Sequence, residues 1–363
     1  MAILDIIEFN AVPTAQQTIG ISGGAIVGAG TVTANKGGST AQGFRSIDPT
    51  DNGTRWLEVQ TASTGSVNGR IGFLLPMAPY AVDATKKFYV GFRFKRYNGA
   101  SATASSFNNV LTVYFNSSDS VPILLNSQIP NWKNGNEYYV EAAFDYVNKL
   151  YSVWVDNVPI WVNVPMPAGF STNLATIQPV LALGHDGANT INISEGTYFS
   201  IRDIYVKQVD NADDDFRLGP QILRRLPLAT VTAQDWTPAN GKTLANSFND
   251  LPGGVTDYSD ATTFAVSDPN QHSAELTFDL PANLLYPTAV IFDAIGSRPS
   301  GAAGVIRSKV TDGVTASAEV VKQLSTAVTQ PLRLLQLVKN LDGSKLTPAG
   351  INQMDLIIQP SIV

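Results

Sequence analysis

The chain has 363 residues, of which 44% are apolar and 15% are charged, with a net charge of −6 and no cysteine. This composition excludes a disulfide-stapled scaffold and a thiolate metal site, and no block of Lys and Arg suggests a nucleic-acid partner. The length suits two domains, and the 29 Gly and 21 Pro predict short strands joined by turns instead of helical bundles.

The N-terminal residues predict neither a secretory signal nor a membrane anchor. Residues 1–8 carry acidic side chains within an apolar stretch and lack a basic start. The chain also contains no run of about 18 apolar residues, so we expect no membrane insertion.

Alternating polarity predicts the strands of the first half. Every second residue from Phe88 to Phe94 is large and apolar, which is typical of a half-buried strand with one face toward a core. The residues between them, such as Tyr89 and Arg93, are assigned to the opposite face. Further strands are predicted at 109–116, 138–144 and 201–209.

A β-hairpin is predicted between residues 150 and 162. Two β-rich runs, 150–155 and 158–162, flank the turn-forming pair Asp156-Asn157. Pro159 cannot donate a backbone hydrogen bond, so the second strand should have an unpaired edge there. Trp154 and Trp161 lie on these strands, and truncating either to Ala should cost about 3–5 kcal/mol if it belongs to the core.

A domain boundary is predicted near residue 212. The segment 210–220 is acidic and ends in Gly-Pro, which is typical of chain punctuation between domains. We therefore expect an all-β protein with two β-sandwich domains in series, at 1–212 and 213–363. The three carboxylates Asp213, Asp214 and Asp215 are interpreted as a solvated linker, since they lack the spacing and turn glycine of a calcium loop.

The second half is predicted to begin with an alternating strand at 221–232. Gln330 to Asn340 would suit a helix or a strand, and we favour a strand because its neighbours are strands. Thr347-Pro348 predicts an N-cap with proline at the first helical position, followed by a turn or two of helix as far as Gln353. The other strands are predicted at 274–280, 289–294, 304–311, 315–323, 332–339 and 355–359.

The first half resembles the concanavalin-like or laminin-G-like jelly roll. The segment Glu137 to Val162 shows a strand, an Asp-containing turn at Asp145, and a second strand ending in Asp156-Asn157. The segment Tyr198 to Val206 is similar to the last strand of that family, which returns beside the first. The resemblance implies a jelly-roll domain.

The second half resembles a junction found in virion and tail proteins of tailed bacteriophages. The residues that carry it within Phe216 to Pro238 are Leu218, Gly219, Arg224, Arg225, Asp235, Trp236, Thr237 and Pro238. An Asn-rich and acidic loop follows, with Phe248, Asn249, Asp250 and Asp257-Tyr258. The closing pattern of the family matches Leu346, Thr347, Ala349, Ile351, Asn352 and Met354, although Pro348 and the strand Asp355 to Ile358 depart from it.

This resemblance implies a structural component of a tailed phage virion, such as a tail fibre, a collar or neck protein, or a baseplate-associated protein. Such a protein would fold in the cytoplasm of the bacterial host and work by contacts with copies of itself and with other virion proteins. A trimer is the first expectation and a ring the second. The alternative is a host-surface glycan-binding module or receptor-binding protein, and less favoured is a polysaccharide depolymerase.

No catalytic, cofactor or metal site is predicted. Glu137 and Glu141 share one face of a predicted strand about 13 Å apart, which is too far for a retaining glycosidase pair. Both are interpreted as charges on a solvent face. His185 and Asp186 form a pair in a Gly-rich turn, for which a hydrogen-bonding role in the loop is favoured.

The candidate glycan or interface contacts are Trp132, His185, Asp186, Arg224 and Arg225. Trp132 lies in a predicted loop, where an aromatic ring can stack on a sugar, fill an intersubunit pocket or plug the end of the sandwich. Arg224 and Arg225 are adjacent on a predicted strand, so their side chains should point to opposite faces.

Overall fold

The computed structural model describes about three fifths of the chain, as two compact units, Met1–Leu223 (unit 1) and Arg224–Val363 (unit 2). The boundary between the two units follows Leu223, about ten residues after the boundary near residue 212 that the sequence predicts. The described residues are 2–7, 9, 17–19, 24–27, 30–35, 42–47, 56–61, 67–68, 70–74, 86–97, 110–114, 120–124, 135–166, 180–183, 192–193, 198–226, 228–233, 236–238, 243–245, 264–266, 273–281, 284, 286–296, 304–324 and 330–362.

Unit 1 is built from antiparallel strands in two large sheets, which confirms the predicted all-β class. The strands are β1 (Ala2–Ile7), β2 (Gln17–Ile19), β3 (Gly24–Val27), β4 (Gly30–Asn35), β5 (Gln42–Ile47), β6 (Trp56–Thr61), β7 (Val67–Asn68), β8 (Arg70–Leu74), β9 (Lys87–Tyr97), β10 (Val110–Tyr114), β11 (Ser120–Leu124), β12 (Glu137–Asp145), β13 (Leu150–Val155), β14 (Val158–Pro165), β15 (Val180–Leu183), β16 (Asn192–Ile193) and β17 (Tyr198–Val209).

The larger sheet of unit 1 has nine strands in the order β14-β13-β12-β9-β17-β6-β5-β2, with β1 paired to β17. The second sheet has the order β11-β10-β15-β8-β4-β3, and β16 pairs with β7. The strand β17 is long enough to pair with β9 along its length, with β6 at its start and with β1 at its end.

The predicted alternation in β9 is confirmed by its inner face. Phe88, Val90, Phe92 and Phe94 are all at most 2% exposed. Each of these residues lies beside a residue of β12 that shares the same face, because directly opposed residues of antiparallel strands point to the same side. The resulting apolar rows form the part of the core that the nine-stranded sheet contributes.

The predicted hairpin is confirmed. Asp156 and Asn157 have φ values of 48° and 66°, as a two-residue type I′ turn requires. Asp156 also binds the neighbouring strand β12, since its carboxylate accepts a hydrogen bond from the Tyr139 N–H at 2.8 Å. Pro159 lies on β14, which is an edge strand of the sheet, as predicted.

Unit 2 has one five-stranded antiparallel sheet in the order β18-β21-β26-β23-β24 and two ribbons, β19-β20 and β22-β25. Its elements are β18 (Leu228–Ala233), β19 (Trp236–Pro238), β20 (Phe264–Val266), β21 (Ala274–Phe278), β22 (Val290–Gly296), β23 (Gly304–Thr311), β24 (Val320–Gln323), β25 (Gln330–Leu337), α1 (Pro348–Asn352) and β26 (Asp355–Ile362). Its core contains Trp236, Leu276, Phe292, Leu334, Leu346, Ile351, Met354 and Leu356.

Two predictions in unit 2 are confirmed at the level of individual residues. The ambiguous segment at 330–340 is a strand, β25, which pairs with β22. Thr347 caps α1, and its hydroxyl accepts a hydrogen bond from the Gly350 N–H at 3.1 Å, with Pro348 at the start of the helix.

Two strand predictions in unit 2 were too long. Residues 221–226 are not in a strand, and the alternation that predicted one becomes a strand only from Leu228 onward. The predicted strand at 315–323 is shortened to Val320–Gln323, because a turn precedes it. In that turn, Asp312 accepts backbone hydrogen bonds from Val314 and Thr315, and a side chain that binds its own backbone competes with strand pairing.

Candidate functional site

The outer face of the nine-stranded sheet, opposite the inner face of Phe88 and Phe92, carries the densest set of polar contacts. Residues 211–223 follow β17 and bind back onto this face through side chains and backbone groups. We call this segment the strap. It lies entirely within unit 1. A short 3-10 helix, Ala212–Asp214, opens it and is capped by the side chain of Asn211.

Glu141 lies under the strap and is fully buried, at 0% exposure. Its carboxylate accepts hydrogen bonds from the Tyr205 hydroxyl, from Arg217 Nη1 at 3.2 Å and from the Gly219 N–H at 3.2 Å. The prediction that Glu141 is a solvent-face charge was therefore wrong. The alternation of β12 located this side chain on the outer face, but nothing in β12 indicates that another segment covers that face.

Glu137 is one-third exposed at the end of the same face, as a surface charge would be. It forms ion pairs with Arg93 at 2.6 Å and with Arg202 at 3.4 Å. Its role is to hold two guanidinium groups that also approach the buried Asp203.

Lys207 is the second buried charge of the outer face, also at 0% exposure. Its ammonium group donates hydrogen bonds to the carbonyl oxygens of Asp214 and Phe216, each at 2.7 Å. It also lies 3.6 Å from the centroid of the Phe216 ring, within cation–π range. Burial lowers the pKa of Lys207, because it disfavours the charged form, although Asp214 and Asp215 oppose that effect.

The acidic part of the strap is bound to the sheet. Asp215 accepts a hydrogen bond from the Tyr89 hydroxyl at 2.6 Å and forms an ion pair with Lys87 at 2.8 Å. Burial and the bond to Asp215 raise the pKa of Tyr89 to about 12. Asp214 is buried. The interpretation of Asp213 to Asp215 as a solvated linker was therefore wrong for Asp214, which is buried, whereas Asp215 is exposed and binds Lys87 and Tyr89 of β9.

Asp203 binds the C-terminal end of the strap. Its carboxylate accepts a hydrogen bond from the Leu223 N–H at 3.0 Å, and its second oxygen lies 3.2 Å from Arg93 and 3.5 Å from Arg202. Asp203 has φ of 53° and lies where the register of β17 with β9 shifts, which gives it an irregular backbone. Burial raises the pKa of Asp203 to about 6, against the opposing effect of the two arginines.

These contacts use the polar groups of the outer face to hold the chain's own backbone. A general acid or base must reach a substrate atom, and Glu141 instead accepts three donors from within unit 1. Among the residues that the structure describes, no group of three or more His, Asp or Glu side chains could hold a metal ion. Within the same residues, no helix has the length and apolar character to cross a bilayer.

Of the candidate contacts predicted from sequence, only Arg224 and Arg225 lie among the described residues. Trp132, His185 and Asp186 lie outside the described residues. Arg224 and Arg225 are half-buried and precede β18, so the prediction that a strand points them to opposite faces was wrong.

Sequence patterns did not predict four residues of the strap site: Asp203, Tyr205, Lys207 and Arg217. A signal for the first three was present in β17, where they alternate with apolar residues. Since β17 is central in its sheet, such a polar row needs partners, and the acidic and basic residues just downstream could supply them.

A pair of aromatic rings lies at the edge of the nine-stranded sheet. Tyr151 on β13 and Trp161 on β14 are half-buried, and their rings meet edge to face, with centroids 5.9 Å apart and planes at 82°. Trp161 pairs with the core residue Val153 and so shares its face. Trp154, on the same hairpin, stacks instead under the guanidinium of Arg217 at 4.5 Å.

Comparison with known proteins gives only distant likenesses. No family model matches the chain, and no curated protein matches it. Among solved structures, a sialidase is similar over 49% of this chain, at 14% identity and a TM-score of 0.32, and the match spans only 17% of the sialidase. The lectin UEA-II complexed with galactose is similar over 54% of this chain and 99% of its own, at 10% identity and a TM-score of 0.31.

A third structure is the tandem CBM22-1-CBM22-2 domain of Paenibacillus barcinonensis Xyn10C, similar over 99% of this chain and 90% of its own, at 9% identity and a TM-score of 0.25. Likenesses at these identities and TM-scores carry no information on activity or ligand.

Proposed function

We propose that this protein is a non-catalytic carbohydrate-recognition protein, with Tyr151 and Trp161 contributing to its sugar-contacting surface. The observation that carries the proposal is the partly exposed ring pair at the edge of the nine-stranded sheet. Aromatic side chains offer a rigid apolar surface to one face of a sugar ring at little cost in conformational entropy.

The non-catalytic part of the proposal is supported by the strap. Two titratable groups of the described outer face, Glu141 and Lys207, are buried beneath the strap and bound within unit 1. A depolymerase would need two carboxyl groups free to act across a bound sugar. Incubating the purified protein with host capsule and measuring chain length tests this point, since shortened polysaccharide would contradict it.

The carbohydrate proposal is tested by a glycan array with the purified full chain, followed by titration of the best ligand. We expect Trp161→Ala to weaken binding by about tenfold or more, because removing an aromatic anchor typically costs over 1 kcal/mol. Trp154→Ala is the matched control on the same hairpin, since its ring stacks on Arg217 and lies on the other face. No binding by the wild type, or equal binding by both variants, would contradict the proposal.

A second proposal, a role in a phage particle, rests on the sequence patterns of the second half that resemble phage virion proteins. We propose that the protein folds in the host cytoplasm and works in a tailed phage virion, bound to copies of itself and to other virion proteins. Several residues of those patterns are hydrogen-bonded or buried in this structure. Gly219 binds Glu141 in the strap, and Trp236, Leu346 and Met354 are buried in the core of unit 2.

The virion proposal is tested separately from sugar binding. The mass of the purified chain in solution should correspond to a trimer, or as the second expectation to a larger ring. Antibodies against the chain should also label the phage particle in electron microscopy. A monomer that labels no part of the particle would contradict the virion role and leave the carbohydrate proposal standing.

A further inference from the structure

The ammonium group of Lys207 occupies an enclosure that is built mainly from the strap. Lysine is among the residues least often fully buried, because removing an ammonium group from water costs several kcal/mol. Here the cost is offset by two carbonyl oxygens, those of Asp214 and Phe216, and by the face of the Phe216 ring. The ring of Tyr89 lies further away, at 5.5 Å from the ammonium nitrogen.

The ligands of this enclosure suit a particular kind of cation. Calcium and magnesium take six or more oxygen ligands in proteins, and this enclosure offers two carbonyl oxygens and an aromatic face. An aromatic face attracts ammonium-type cations through its quadrupole. Two carbonyl oxygens and one aromatic face therefore suit a compact organic ammonium ion better than a divalent metal ion.

We propose that Asp214, Phe216 and the sheet beneath them form an internal site for an ammonium cation, which Lys207 fills, and that its occupancy latches the strap onto unit 1. Without the cation the Phe216 carbonyl loses the Lys207 donor, and the Asp214 carbonyl keeps only the Phe216 N–H, at 2.9 Å. The strap residues on either side of Phe216 are also bound to the sheet, Asp215 by Tyr89 and Arg217 by Glu141. Losing the ammonium group frees the middle of the strap.

The latch is tested by hydrogen exchange of the strap in the full-length protein. In Lys207→Ala, we expect the amides of Gly219 and Leu223, which bind buried carboxylates, to exchange at least about tenfold faster. Adding propylammonium chloride, which replaces the deleted part of the side chain, should restore the protection, and sodium chloride at the same concentration should not. Lys149→Ala is the matched control, because Lys149 is exposed on unit 1.

Lys207→Met separates the charge from the packing, since methionine fills much of the same volume without a donor. We expect it to expose the strap to exchange and to be insensitive to propylammonium, because its side chain fills the site. Wild-type protection in Lys207→Met would overturn the proposal, and so would failure of propylammonium to restore Lys207→Ala. If Lys207→Ala does not fold without propylammonium, refolding in its presence but not in sodium chloride supports the proposal, and no refolding in either overturns it.

Discussion

Gly91 lies beneath the ring of Tyr205, in the path between that tyrosine and Glu141. The three residues form one row across the sheet, with Glu141 on β12, Gly91 on β9 and Tyr205 on β17. Neighbouring strands are about 4.8 Å apart, so a side chain on β17 reaches β12 only by crossing β9. The missing side chain at Gly91 is what allows the Tyr205 hydroxyl to bind Glu141.

We expect Gly91→Ala to lower the free energy of unfolding by about 1–3 kcal/mol, the usual cost of overpacking. A Cβ atom at this position would overlap the Tyr205 ring and the Tyr139 hydroxyl. Gly343→Ala provides a comparison, since Gly343 has φ of 83° but nothing within 4 Å of a Cβ, so only backbone strain is added. Chemical denaturation measures both, and an unchanged stability of Gly91→Ala would contradict the packing described.

Glu141→Gln should destabilise unit 1 by about 1–3 kcal/mol, because it weakens the hydrogen bonds at a fully buried position and removes the charge partner of Arg217, which is 30% exposed. The control is Glu319→Gln, which breaks the exposed pair of Glu319 with Arg307, at 2.7 Å, and should cost less than about 1 kcal/mol. A double-mutant cycle of Glu141→Gln with Arg217→Met should give a coupling of about 1 kcal/mol or more. Additive effects would argue against a direct interaction.

Asp203 predicts a distinctive pH dependence. Its pKa is raised from 3.8 to about 6 by burial, so between those values the folded chain holds a proton that the unfolded chain has lost. The free energy of unfolding should therefore fall by up to about 3 kcal/mol as the pH rises from 4 to 6.

The measurement for Asp203 is urea denaturation at pH 4, 5, 6 and 7 for the wild type and for Asp203→Asn. The variant cannot take up this proton, so the difference in stability between the two proteins should change over the interval from 4 to 6 and be constant above about 7. A difference that is the same at every pH would show that Asp203 keeps an ordinary pKa.

Gly350→Ala should destabilise unit 2, although alanine is normally the better helix former. A Cβ atom at Gly350 would overlap the side chain of Asn340, which donates to the Lys345 carbonyl at 2.9 Å and to the Ser344 hydroxyl at 3.0 Å. We expect a loss of about 1–3 kcal/mol in thermal unfolding. In the Asn340→Ala background, Gly350→Ala should lower the stability much less than it does in the wild type. Equal effects of Gly350→Ala in the two backgrounds would contradict this explanation.

The elements that the sequence predicted well are those whose evidence is local. The hairpin at Asp156-Asn157 and the cap at Thr347 depend on residues a few positions apart, and both are found as expected. The strands β9 and β12 were recognised because one face of each packs on a core, so their side chains alternate.

The tryptophans of the hairpin show where alternation stops being informative. Trp154 and Trp161 are each half-buried, so neither meets the condition for a core-sized loss on truncation. The buried residues of this hairpin are Ser152, Val153 and Val155. The ring of Trp154 is covered by the guanidinium group of Arg217, which lies more than sixty positions away in the sequence.

The amino-acid sequence by itself determined the all-β class, the positions of about half of the described strands, the hairpin and the capped helical turn, because each depends on short-range patterns of polarity and turn chemistry. Only the tertiary structure decided that residues 211–223 bind the outer face of the sheet and that Glu141 and Lys207 are buried beneath them. A charged residue on an alternating strand gives the same sequence pattern whether its side chain is exposed to water or buried beneath the strap. What distinguishes the two cases is the cost of burial, and that cost is offset here by partners on distant segments of the chain.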